Sequence, residues 1–176
     1  MARQIESYWE ILGPFFETID TGGSPEVYAA SLVKVPRPVV LMYATHMCLA
    51  EVHNGGLLQF FWNSTGIVAP ETIEGFVAMG MPKHASSVKQ AASLLGDPYP
   101  RDRDDRWEAL LVASNCSPEY VERLFAKSEG FYLAFVKATE PLGFETLHKL
   151  IWELANNENG GFQERATVYA RETAVQ

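Results

Sequence analysis

Residues 39–66 are apolar enough to be interior, yet Glu51, Asn54, Gly55, Gly56, Gln59 and Asn63 interrupt them. A buried polar group left without a hydrogen bond costs about 1–3 kcal/mol, so these side chains must find partners in the fold. The paired glycines indicate how. Asn54-Gly55 can adopt left-handed backbone and end one helix, and the run from Gly56 can begin another at an angle to it. A tight helix–helix corner is the expected result.

At that corner Glu51 falls in the last turn of the first helix, where the helix dipole disfavours a negative charge. The carboxylate becomes an asset if it reaches the free N–H groups opening the second helix. Gln59 and Asn63, four apart, share a face and can bond to backbone beside the bend. One reading makes Glu51, Asn54, Gln59 and Asn63 a buried network that fixes the corner. The other makes them, with His53, the lining of a small polar pocket in a small-molecule-binding protein or an unrecognised enzyme. Neither contains an activated nucleophile with its base, so no catalytic residue is assigned. His46 and His53 are seven apart with no carboxylate at a recognised ligand spacing, so no metal site and no cofactor is assigned.

The rest of the chain reads as helices. Ile5, Tyr8, Trp9, Leu12, Phe15, Phe16 and Ile19 recur at three- and four-residue steps, with Gly13-Pro14 expected to kink or split the helix. Ser24-Pro25 is an N-cap followed by a first-turn proline, opening a short helix to about Val33. Residues 39–52 are apolar around almost the whole circumference, which predicts a buried central helix. Helical spacing recurs over 69–80, 82–95, 107–111, 118–125 and 144–155, and 97–106 reads as an exposed loop. Strand-like alternation is sparse. The prediction is an all-α single domain over 1–176, a bundle of roughly seven to nine helices around the central one.

Charge narrows the partners. The chain has 22 acidic and 14 basic residues, a net charge of -8, which disfavours nucleic acid and anionic membrane surfaces. Asp102, Asp104, Asp105, Glu119, Glu122 and Glu129 are the candidate acidic surface, although Arg101, Arg103, Arg106, Arg123 and Lys127 interrupt them. The N-terminal residues lack an export signal, and Cys48 and Cys116 are expected to be free thiols in a cytoplasmic protein.

The string Glu51-x-x-Asn54-Gly55-Gly56-x-x-Gln59-Phe60-Phe61-x-Asn63-Ser64-x-Gly66 resembles the signature of the bacterial family typified by DNA mimic protein nineteen. The resemblance is strong over the signature and looser over roughly 39–152; Leu57 stands where the family usually has an aromatic. It implies a small, acidic, all-helical domain and a homodimer. It further implies that a negatively charged surface occupies the DNA-binding site of a transcription factor or other basic DNA-binding protein. Glu158-Asn159-Gly160-Gly161-Phe162-Gln163 echoes the signature at altered spacing and is expected to mark a similar helix end or a chance match.

Overall fold

In the computed structural model, residues 5–125, 136–137 and 139–174 are described, and they form helices with no strand among them. The chain opens with α1 (Trp9–Leu12), which passes at Gly13-Pro14 into a 3₁₀ helix (Gly13–Thr18). The proline has no N–H to continue an α-helical ladder, so the helix changes character there. α2 (Pro25–Ser31) starts where predicted: the Ser24 side chain accepts the Val27 N–H, and Pro25 supplies a preset φ.

α3 (Arg37–Trp62) is the hub. Residues 39–45 are all buried, so neighbours cover the whole circumference there, whereas further along Cys48, Leu49 and Val52 are buried and Ala50, His53 and Asn54 are exposed. α4 (Ala69–Ala78) crosses it closely because of Gly75, where a Cβ would come within 2.8 Å of the Leu41 carbonyl oxygen. Thr72 Oγ1 adds a hydrogen bond to the Ala44 carbonyl at 3.0 Å. A turn at Gly80, φ +72°, leads to α5 (Pro82–Ser93), which packs along α4.

α6 (Arg103–Ala113) and α7 (Pro118–Phe125) follow, and after the 3₁₀ helix Glu140–Leu142, α8 (Phe144–Leu154) packs on α3 and α5. The last 3₁₀ helix (Glu158–Gly160) leads to α9 (Phe162–Thr173), which no spacing in the sequence suggested. Its buried stripe is Phe162, Ala166, Thr167 and Ala170, three of them too small to register as an apolar period. Among the described residues no helix is long and apolar enough to cross a membrane.

Candidate functional site

Hydrogen bonding continues along α3, but its backbone is non-helical at two positions, Gly55 (φ −156°, ψ 18°) and Gly56 (φ 82°, ψ −178°). The bend predicted at the glycine pair is therefore present, and its left-handed position is Gly56. The two glycines are needed for different reasons. Gly56 has a φ that L side chains rarely adopt, and a Cβ there would also approach His148 Nδ1 to 3.2 Å. Gly55 has an unremarkable φ, but the Gln59 carboxamide lies where its side chain would be.

That carboxamide is held there by Glu51. Gln59 Nε2 donates to Glu51 Oε2 at 2.6 Å, Asn63 Nδ2 to the same oxygen at 2.9 Å, and Thr65 Oγ1 to Oε1 at 2.8 Å. One half-buried carboxylate thus collects three side-chain donors across the bend. This corrects the sequence reading, which expected Glu51 to reach backbone N–H groups and the two amides to bond to backbone. Side chains eight to fourteen residues further on reach it instead. Asn54 is exposed, in the last turn before the bend and outside these three bonds. Burial and then the nearby Glu51 charge push the Cys48 thiol well above its ordinary range, so it stays protonated.

The C-terminal end of α3 is held by residues that sequence reasoning missed. The last carbonyls of a helix have no partner within it. Arg106, 1% exposed, donates through Nε to Phe61 O at 3.1 Å and through Nη2 to Asn63 O at 2.9 Å. Arg103 Nε and Trp107 Nε1 both reach Trp62 O, at 2.9 and 3.0 Å, and the Trp62 and Trp107 rings stack. Tyr99 Oη donates to Gly66 O at 2.8 Å, and Arg101 bonds to Ile67 O and to the buried Glu71 carboxylate. Residues 97–102 and the first turn of α6 are therefore a strap across the end of α3 and the turn after it, not a free loop, because Arg103 and Arg106 supply donors the helix terminus lacks. Three arginines within six residues, next to a helix end with no capping partner of its own, was the available signal.

The carboxylates of the same stretch point elsewhere. Asp102 caps α6 by accepting the Asp104 and Asp105 N–H groups, while Asp104, Asp105 and Glu108 are exposed. Glu119 and Glu122 on α7 are exposed as well. Among the described residues none of these five exposed acids is in an ion pair. Glu129 lies outside the described residues.

The two histidines considered for a metal separate: His53 packs edge-on against Trp152, and His46 Nδ1 meets the Tyr8 hydroxyl at 2.9 Å. No three His, Cys, Asp or Glu side chains converge as metal ligands among the described residues. A cavity of about 710 Å³ lies beside the bend, lined by Gly55, Gly56, Leu57, Leu58, Phe144 and His148 among others. Glu51, Asn54, Gln59 and Asn63 are not part of that lining.

The echo segment forms a second carboxylate junction. Glu158, 7% exposed, accepts the Lys83 N–H at 2.7 Å and the His84 N–H at 3.1 Å, capping α5, and also bonds to His84 Nδ1. Asn159 (φ 52°) donates to Gly80 O at 2.6 Å.

No curated protein and no solved structure matches the chain. A family model described as DMP19-like protein matches residues 34–172, from the approach to α3 to the last turn of α9, so the glycine bend, the arginine strap and both carboxylate junctions lie within it. On that extent of match, the chain belongs to the DMP19-like protein family.

Proposed function

We propose that this chain is a non-enzymatic, regulatory interaction domain whose acidic helical surface occupies the DNA-binding site of a basic protein, such as a transcription factor. The observation that carries the reading is the division of labour between residues 101 and 122. Arg103 and Arg106 are engaged with the end of α3, and Arg101 with Ile67 O and Glu71, whereas Asp104, Asp105, Glu108, Glu119 and Glu122 are exposed and in no ion pair among the described residues. On α6, Asp104 and Glu108 are four apart and share a face, as do Glu119 and Glu122, three apart, on α7. A protein that binds DNA by neutralising phosphates with Lys and Arg could meet carboxylates here instead. The net charge of -8 and membership of the family support the same reading.

The test is capture of partners from native cell extract on the immobilised chain at low and high salt. A DNA-binding protein should be retained, released as salt rises and displaced by duplex DNA. A chain carrying Asp104→Asn, Asp105→Asn, Glu108→Gln, Glu119→Gln and Glu122→Gln should fold normally and lose it. Retention of partners indifferent to DNA, or by the variant as strongly as by the parent, would overturn the reading. Sedimentation tests the homodimer that the family implies. A ligand pocket built from Glu51, Asn54, Gln59 and Asn63 has less support, because the Glu51 carboxylate is engaged internally by Gln59, Asn63 and Thr65.

A further inference from the structure

The two ends of the chain are fastened to each other. Tyr8 N–H donates to Thr167 Oγ1 at 3.2 Å, Arg171 Nε to Ile5 O at 2.6 Å, and the Tyr8 and Phe162 rings meet edge to face at 5.4 Å. Residues 5–12 and 158–173 thus form one unit laid on α3–α5. Because α9 buries little besides Phe162 and three small residues, its polar attachments matter more than they would on a larger apolar face. Two of those attachments are imidazoles of the hub. His46 on α3 holds the Tyr8 hydroxyl, and His84 on α5 holds the Glu158 carboxylate.

We propose that His46 and His84 make this terminal unit an acid-released clasp, which detaches from the α3–α5 hub when the two imidazoles take up protons. Each ring makes one hydrogen bond through Nδ1 and lies against aromatic rings, surroundings that disfavour its charged form. With the ring proton on Nε2, His46 Nδ1 accepts the Tyr8 O–H; an imidazolium would donate there instead, so the hydroxyl would have to turn its hydrogen away from the ring. Tyr8, Trp9 and Phe16 surround the ring, and among the described residues no carboxylate pairs with it. His84 is fully buried beside the Phe76 ring, with Nδ1 on Glu158 and, among the described residues, no partner at Nε2. A proton added at Nε2 would be a buried donor with no acceptor.

Glu158 is the charged group facing His84. Lys83 on the same helix contributes its backbone N–H to that carboxylate, and Arg165 on α9 turns its Nε to Met79 O at 2.7 Å. Burial holds both histidines below the ordinary value of 6.5, and at His84 it outweighs the opposing pull of Glu158. A lowered folded-state pKa means that attachment is complete above 6.5 and weakens as pH falls below it. The opening equilibrium then rises about tenfold per histidine for each pH unit below that value, until the folded pKa is reached.

The test is hydrogen exchange of the full chain at pH 7.5, 6.5 and 5.5, read as protection factors. Amides of residues 9–12 and 162–170 should lose protection by tenfold or more at pH 5.5, while those of residues 39–52 and 72–78 keep theirs. The pair His46→Asn and His84→Asn keeps an acceptor and a donor in place without titrating, and should abolish the pH dependence. Should the variant misfold, the ring titrations of His46 and His84 in the parent decide, with midpoints below 6.5 expected. Midpoints at or above 6.5, uniform loss of protection through the hub, or pH dependence surviving in a folded variant would each overturn the clasp.

Discussion

The junctions at Glu51 and Glu158 solve one problem in two ways. Each places a carboxylate beside a bend that needs a left-handed glycine, and each gathers three donors onto it. At Glu51 the donors are side chains within fourteen residues, two of which, Gln59 and Asn63, are half-buried and can turn to solvent if the carboxylate is lost. At Glu158 two donors are backbone N–H groups at the start of α5, more than seventy residues away, and the third belongs to a fully buried histidine. The first fixes a local angle, and the second joins distant parts of the chain. The energetic consequences should differ accordingly.

Glu158→Ala is therefore expected to be the most damaging change, about 3 kcal/mol in urea unfolding, because the groups it abandons cannot rotate to water. Glu51→Ala should cost less, about 2 kcal/mol, since two of its three partners, Gln59 and Asn63, are half-buried; equal losses at the two sites would erase the distinction. Within the first junction, Gly56→Ala should cost about 1–2 kcal/mol for its positive φ. Gly55→Ala, which only displaces the Gln59 carboxamide, should cost about 1 kcal/mol, and Gln59→Ala combined with it should add little. Least affected should be Asp104→Asn with Asp105→Asn, within about 0.5 kcal/mol of the parent, because both carboxylates are exposed and outside any junction.

How far each junction was legible follows from the same contrast. The Glu51 bend was visible because glycines and polar side chains inside an apolar run demand an explanation within their own neighbourhood. Its bonding pattern was not, since Thr65 reaches the carboxylate only through the turn that follows Asn63. The core helices were readable from large apolar residues at helical steps. α9 was not, because alanines and a threonine line its buried side. Glu158 and the strap arginines were misjudged or passed over for a common reason: their partners lie about 30 to 75 residues away, beyond any local spacing. The echo between the two glycine-containing segments was visible, while the buried carboxylate junction they share emerged only in three dimensions.

The arginine strap also changes what an approaching molecule meets. By composition, residues 101–106 are evenly mixed, three cations and three anions, and would be taken for neutral ground. The guanidinium groups are anchored to carbonyl oxygens, and among the described residues none forms an ion pair with Asp104 or Asp105. A visitor bearing lysines or arginines can engage those carboxylates without first displacing a resident counterion.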